Sequence, residues 1–499
     1  MSENGEYMAR QRSIMPPMRL DPTTCYRALR ARDARFDGRF FVAVSSTRIY
    51  CRPVCTVRAP RRENCRYYPS AAAAEAAGYR PCLRCRPELA PGNATIDAVQ
   101  RTARAAVRLI EEGAVNEGSM EAAARRLGIT DRHLRRAFQA EFGVSPVAFA
   151  QTQRLLLAKQ LLTDTALPVT EVAYASGFGS VRRFNALFLG RYRLRPRELR
   201  KASLPAALGD TLALELGYRP PYDWGAMAGF LGARAIAGVE SCDGAAYRRT
   251  VRVAAGGREH RGWIEVAPLA AKRALAVRVS ASLAKALPPV LARVKSLMDL
   301  ACRPDEVAKA LGPLAARRPG VRVPGAFDGF EIAVRAILGQ QVSVAAARTL
   351  AGRFAGAFGD STETPFDSLT TLFPSAGRIA ELPQQKIARL GVPAARARTI
   401  LALSRALAAG ELDLAPGADV DATLAGLRAI PGIGEWTAQY VAMRALAWPD
   451  AFPHTDLGVM KALKLTDPRR VLAAAEAWRP WRAYAVMYLW QSLPQGGRK

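Results

Sequence analysis

The sequence predicts a multidomain chain, mainly α-helical with α+β parts. Three observations carry this: two close cysteine pairs near the N-terminus, a helical unit that occurs twice about fifty residues apart, and a glycine-rich hairpin between helical patterns late in the chain. A length of 499 residues suits several domains of ordinary size. Half of the residues are hydrophobic, so sizeable cores can be buried. Lys and Arg number 72 against 43 Asp and Glu, a formal net charge of +29. Such an excess points to a polyanionic partner, most simply nucleic acid. A general compositional preference for Arg and Ala would produce part of it, so charge supports a DNA partner without establishing one. No apolar run reaches membrane-spanning length, and the start MSENGEYMARQRS lacks a signal-peptide core. A cytoplasmic location and no membrane partner are therefore expected.

The first element, residues 1–93, holds a C-x3-C at Cys51 and Cys55 and a C-x2-C at Cys82 and Cys85. Two such pairs can place four sulfurs tetrahedrally around one Zn2+. In a chain without secretory features, paired cysteines suggest metal rather than disulfides. Cys25, Cys65, Cys242 and Cys302 are isolated and read as structural thiols. The stretches TRIYCRPVC, RENCRYYP and AAGYRPCLRC resemble the N-terminal domain of the bacterial adaptive-response activator Ada. That resemblance implies that Cys51 is both a zinc ligand and the acceptor of a methyl group from a DNA methylphosphotriester, in one irreversible turnover. It also places Thr47, Arg58 and Arg80 near the acceptor, where they could contact the DNA backbone. Zinc would keep the sulfur as the nucleophilic thiolate. Four thiolates around Zn2+ carry about −2, and methylation removes one negative charge, so backbone binding should strengthen.

The second element, 94–203, opens on a helical region at Asn93–Ile96. It then shows Ala124-x3-Gly128 and a helix before FGVSP, followed by Ala173-x3-Gly177 and a helix before YRLRP. Each unit reads helix, short turn at Gly, helix. The pair resembles the AraC-type DNA-binding domain, in which each unit places a helix in the major groove. The first such helix is expected over Thr130–Glu141, exposing Arg132, His133, Arg135 and Arg136. The second is expected over Ser180–Leu189, exposing Arg182, Arg183 and Asn185. Arg suits guanine and Asn suits adenine, but the pattern does not separate base from phosphate contacts.

The third element, 204–316, shows short alternating strands at Leu212–Tyr218, Tyr247–Ala254, Trp263–Ala267 and Ala274–Val279. It reads as an antiparallel α+β scaffold without visible chemistry. Arg317-Arg318-Pro319-Gly320 marks the passage to a helical core.

The fourth element, 317–499, carries LRAIPGIGEWTAQYVAMRALAWPDAFPHTDLGVMK at 427–461. Gly432 and Gly434 let the backbone approach a ligand closely. The helix expected from Glu435 to Leu446 offers its first N–H groups to an anion such as a DNA phosphate. With YRPPYDWGAMAGFLGARA (218–235), FEIAVRAILGQQVSVAAA (330–347) and WRPWRAYAVMYLW (478–490), this second half resembles the AlkA-type 3-methyladenine DNA glycosylase II family, which has a helix-hairpin-helix core. The resemblance implies that Gln341 is the wedge filling the gap left by a flipped nucleotide, where the family pattern has an apolar residue. It implies that Trp436, Tyr440 and Trp490 line the base pocket, and that Asp456 is the catalytic carboxylate. Electron-rich rings attract a base made cationic by alkylation, by roughly 0.5–2 kcal/mol each. A carboxylate stabilises the sugar oxocarbenium ion and can activate water. Asp456 also fits an N-cap of the helix that follows. Trp478 and Trp481 read as core, and His454 as loop.

Bifunctional relatives place a Lys shortly after the hairpin, where this chain has Trp436. Hydrolysis leaving an abasic site, without strand cleavage, is therefore expected. No Pro-Cys-His-Arg motif of O6-methylguanine methyltransferases is present. The reading is a fusion for alkylation damage: a methylphosphotriester-sensing activator joined to a monofunctional glycosylase for 3-methyladenine- and 7-methylguanine-type purines. The expected partners are alkylated and promoter double-stranded DNA, with RNA polymerase left open as the partner of an activator. A monomer is expected. The alternative is a DNA-binding regulator whose glycosylase half is inactive.

Overall fold

A computed structural model describes residues 21–92, 101–113, 120–200, 210–415 and 418–493. The helical start expected at Asn93–Ile96 lies outside these residues; the next described helix is Arg101–Glu111.

The cysteine region folds on a four-stranded sheet of order β3-β1-β2-β4, with β1 Phe41–Val44, β2 Ile49–Cys51, β3 Cys65–Tyr68 and β4 Arg80–Pro81. β1 runs antiparallel to β2 and β3, whereas β2 and β4 are parallel, with Tyr50 opposite Pro81. This parallel pair builds the site. Cys51 ends β2, Cys82 follows β4, and the Cys82 N–H donates to the Tyr50 carbonyl at 3.0 Å. Two strand ends thus deliver the first cysteine of each pair side by side.

The repeat forms two helix pairs, Met120–Arg126 with Asp131–Phe142 and Val169–Ala175 with Val181–Tyr192, bridged by the helix Pro146–Asp164. Gly128 and Gly177 take left-handed φ values of +65° and +86° at the turns. Hydroxyl caps open both second helices: Thr130 accepts from the His133 N–H at 3.2 Å and Ser180 from that of Arg183 at 3.4 Å. Both helices run further than expected, to Phe142 and Tyr192. These two rings continue the buried stripes begun by Phe138 and Phe188, one turn back. The first unit closes its core with Phe138, Phe142 and Phe149. The second shares its core with the sheet that follows, where Phe184 and Phe188 join Leu214 and Val277.

That sheet is fully antiparallel, in the order β5-β9-β8-β7-β6: β5 Thr211–Gly217, β6 Glu240–Cys242, β7 Tyr247–Ala255, β8 Arg258–Leu269 and β9 Ala274–Ser280. The four expected strands are present with shifted ends. β8 starts at Arg258 rather than Trp263, because Gly256 and Gly257, at φ +62° and +67°, make a tight hairpin that pairs even the charged stretch before Gly262. β6 was not expected; three residues beginning with Glu carry no alternation.

The last third is helical. Gly329–Leu338, Glu435–Arg444 and Arg482–Ser492 bury Val334, Ile337, Val441 and Val486 in one core, which also takes Trp481 and the packed edge of Trp478. Between the regions lies Arg219, whose buried guanidinium donates to the carbonyls of Asp37, Ala301 and Gly92, each at 2.9 Å. Gly38 beside it admits no side chain, since a Cβ there would sit 2.1 Å from the Pro91 carbonyl oxygen. The cysteine region is thereby seated against the sheet domain.

Candidate functional sites: a carboxylate cleft and a four-cysteine centre

Asp456 is half-buried at the start of the helix Leu457–Leu463. As its N-cap it accepts from the Val459 N–H at 2.9 Å. The same carboxylate accepts from two indoles, Trp436 Nε1 to Oδ2 and Trp490 Nε1 to Oδ1, both at 2.8 Å. Three N–H donors thus converge on one carboxylate. Trp436 comes from the helix after the hairpin and Trp490 from the last helix, so three segments meet at one side chain. Gly458 makes room for this: a Cβ there would lie 3.0 Å from both Asp456 Oδ1 and Trp490 Cδ1.

The rings continue from the carboxylate. Trp436 stacks on Tyr440 with centroids 5.2 Å apart and 14° between planes, and Tyr440 lies 6.4 Å from Trp490. Phe230, from the helix Trp224–Gly232 of the sheet domain, lies nearly parallel to Trp490 at 6.2 Å. Two guanidiniums flank these rings. Arg444 Nη1 donates to the Tyr440 hydroxyl at 2.7 Å. Arg234 lies over the Phe230 face, 3.8 Å from its centroid. Burial opposes ionisation of Tyr440, but Arg444, Arg234 and Arg335 outweigh it and hold the phenol below its usual range.

The hairpin stands beside this cleft. Gly432 sits at φ +91°, and a Cβ there would fall 2.1 Å from Thr399 Oγ1, whose hydroxyl donates to the Pro431 carbonyl at 2.9 Å. Gly434 caps the next helix without a side chain, leaving its first N–H groups without a side-chain cap. That helix ends at Arg444 rather than Leu446, where the chain turns through Ala447 at φ +50°. Gln341 is exposed between the helices Gly329–Leu338 and Val344–Phe358, at φ +54°. Its neighbour Gln340 donates from Nε2 to the Gly432 carbonyl and to Thr437 Oγ1, each at 3.0 Å, tying this loop to the hairpin.

At the other centre the sulfurs of Cys51, Cys55, Cys82 and Cys85 all lie within 4.8 Å of one another, and three of the four residues are buried. Four sulfurs at this spacing fit a tetrahedral Zn2+ with bonds of about 2.3 Å. Binding a cation there requires the sulfurs to give up their protons, so occupancy is coupled to pH. Arg52 supports the centre: its N–H donates to Cys85 Sγ at 3.4 Å and its Nη1 to the Cys85 carbonyl at 3.1 Å. Its Nε donates to Asp37 at 2.8 Å, the residue whose carbonyl Arg219 holds.

Four family profiles match the chain: the metal binding domain of Ada over residues 24–88, a helix-turn-helix domain over 123–202, the AlkA N-terminal domain over 213–328, and the HhH-GPD superfamily of base excision DNA repair proteins over 334–479. The probable bifunctional transcriptional activator/DNA repair enzyme AlkA of Mycobacterium tuberculosis is 40% identical over 484 residues, 94% of this chain and 96% of that protein. The chain belongs to this family of bifunctional transcriptional activator/DNA repair enzymes. Two further relatives divide it. DNA-3-methyladenine glycosylase 2 of Escherichia coli is 38% identical over 275 residues, 55% of this chain and 95% of that protein. The bifunctional transcriptional activator/DNA repair enzyme Ada of Escherichia coli is 36% identical over 150 residues, 30% of this chain and 41% of that protein.

In this AlkA-family chain the helix-turn-helix candidates share exposed helix faces. Arg132, His133, Arg135 and Arg136 are exposed on the helix Asp131–Phe142, with Arg135 paired to Asp131 at 2.7 Å. Arg182, Arg183 and Asn185 are exposed on Val181–Tyr192. Thr47 and Arg58 are exposed and Arg80 is half-buried in the cysteine region. None of these joins either centre. Phe230 and Arg234 lie within the stretch 218–235 that carries part of the resemblance, but the sequence assigns them no role, because the third element reads as scaffold; the structure brings that element to the cleft. Among the described residues no helix is long and apolar enough to cross a membrane.

Proposed function

We propose that the Asp456 cleft hydrolyses the N-glycosidic bond of alkylated purines in double-stranded DNA, leaving an abasic site. The observation that carries this is the carboxylate held by two indole N–H groups at 2.8 Å inside an aromatic cleft. A flipped purine alkylated at N3 or N7 is cationic and leaves readily. The C1′–N bond breaks, its electron pair goes to the base, and the sugar becomes an oxocarbenium ion. Asp456 stabilises that ion electrostatically, and water adds at C1′ with loss of a proton. The carboxylate lies beside the rings that would hold the base, so charge stabilisation is its main task. Trp436, Tyr440 and Trp490 line the pocket, Gln341 fills the vacated stack, and Gly432 and Gly434 let the hairpin backbone meet the phosphates. With Trp436 where lyases carry Lys, no strand cleavage accompanies release.

Cys51, Cys55, Cys82 and Cys85 would hold one Zn2+, whose chemistry is to keep sulfur as thiolate at neutral pH. Cys51 accepts the methyl group of a backbone methylphosphotriester. Its sulfur forms the S–C bond as the C–O bond breaks, and the electron pair returns to the phosphate as a diester anion. Thr47, Arg58 and Arg80 contact the backbone there, and the exposed arginines, His133 and Asn185 of the two recognition helices bind promoter DNA. The chain is read as a cytoplasmic monomer that activates transcription with RNA polymerase.

Incubation with methylated duplex DNA tests this reading. Release of 3-methyladenine with strands cut only after alkali is the expected result, together with methyl transfer from phosphotriesters to wild type and none to Cys51→Ala. Absence of base release would favour a regulator that only grips DNA. Undiminished transfer to Cys51→Ala would remove Cys51 as acceptor.

A further inference from the structure

The two arginines at the cleft are not equivalent. Arg444 is fully engaged: Nη1 on the Tyr440 hydroxyl at 2.7 Å, Nη2 on the Gly325 carbonyl at 3.1 Å, and Nε on the Pro324 carbonyl. Arg234 is half-buried, yet among the described residues its guanidinium meets one acceptor, the Phe230 carbonyl, at a long 3.4 Å. Its backbone is fixed, since Arg335 donates to the Arg234 carbonyl. Its plane rests on Phe230, the ring that lies parallel to Trp490 beside Asp456. Burial pulls its pKa below the usual arginine range, while Tyr440 and Asp456 are near enough to counter this. A half-buried guanidinium with most of its N–H groups free of protein acceptors among the described residues is open to a ligand that supplies them.

The acceptor set that matches a guanidinium fork among purines is the O6/N7 edge of guanine. We infer that Arg234 is a specificity-determining residue that reads this edge on the flipped base, so that the cleft favours N3-alkylguanine over N3-alkyladenine. The inference rests on the glycosylase reading above. Both bases are cationic and both leave readily, and any difference in intrinsic lability is common to wild type and variant, so it cancels in the change of their ratio. They differ at the edge. Guanine presents two acceptors, whereas adenine pairs its N7 acceptor with an N6 amino donor that opposes the guanidinium. A 7-alkylguanine keeps O6 alone and falls between them. Undamaged guanine fits the fork but remains a poor leaving group, so recognition does not commit it to release.

Internal competition tests this with the full chain. 3-Methylguanine and 3-methyladenine released from one methylated DNA sample are quantified, giving the ratio of their kcat/KM values directly. Wild type is expected to favour 3-methylguanine. Arg234→Ala should lower the ratio by about tenfold, within the range of a bidentate Arg–guanine pair, and Arg234→Lys should lower it less. An unchanged ratio in Arg234→Ala overturns the inference, whether release persists or both bases are lost in parallel, as a merely structural arginine would produce. If wild type releases 3-methyladenine while the ratio fails to move, the inference falls and the glycosylase reading stands. If wild type releases neither base, both fall.

Discussion

In the four-cysteine centre every ligand comes from residues 51–85, and two adjacent strand ends bring the pairs together. In the Asp456 cleft the groups that meet come from positions as far apart as 230, 436, 456 and 490. The first is closed, with its sulfurs facing one another. The second is lined by half-buried rings whose partners are a carboxylate and two guanidiniums. A site that must hold an ion for the life of the protein can be local and buried. A site that must admit and release a base needs walls from elements that are separately anchored.

The largest expected effect lies at the local centre. Cys55→Ala, which leaves the proposed acceptor in place, should take the zinc content from one ion per chain to near zero by metal analysis, because a three-sulfur remnant loses most of the binding free energy. Base release should be far less affected, since the cleft shares no ligand with it. Equal collapse of both functions would erase the contrast between the two sites.

A smaller effect sharpens the cleft's side of the comparison. Trp490→Phe keeps an aromatic wall and removes one of the two indole donors to Asp456. A hydrogen bond to a charged group contributes about 1.5–3 kcal/mol, so kcat for base release should fall by roughly one to two orders of magnitude. KM should change little, because the ring remains. A rise in KM with kcat intact would make Trp490 a binding wall only.

The smallest effect concerns the seam between the cysteine region and the helix-turn-helix units. Glu75 is buried and accepts from the Tyr50 hydroxyl at 3.0 Å, one residue before Cys51, and from Thr152 Oγ1 at 2.9 Å. Burial raises its carboxyl to about 7. A carboxyl raised on folding favours the folded state below its ordinary value of 4.5. That contribution is lost as pH rises through about 7. The melting temperature of wild type should therefore carry a component that falls between pH 5 and pH 8, by about a few degrees. Glu75→Gln should flatten that component; an unchanged pH profile would remove Glu75 as its source.

What the sequence disclosed follows the same division. Cys51, Cys55, Cys82 and Cys85 stood out because metal geometry demands close spacing, and spacing is written in the chain. The paired helices were visible through repetition and their Gly turns. The sheet was visible wherever apolar alternation marked it, but β6 and the first residues of β8 were not, because pairing there is imposed by a hairpin and a neighbour rather than by pattern. Asp456, Trp436 and Trp490 were proposed from a resemblance. That both indoles donate to one carboxylate depends on how three helices meet, and no local pattern encodes it. Phe230 and Arg234 lie in the stretch 218–235 that carries part of the resemblance, but their place at the site was not legible, because only tertiary packing brings the helix Trp224–Gly232 and the residues just after it there.

The account depends most on the charge of Asp456. Asn is isosteric, caps a helix as well as Asp, and should preserve the fold, so single-turnover base release by Asp456→Asn isolates that charge. A rate lowered by at least about hundredfold, with melting temperature and DNA affinity near wild type, is the predicted result. Release at the wild-type rate would contradict it.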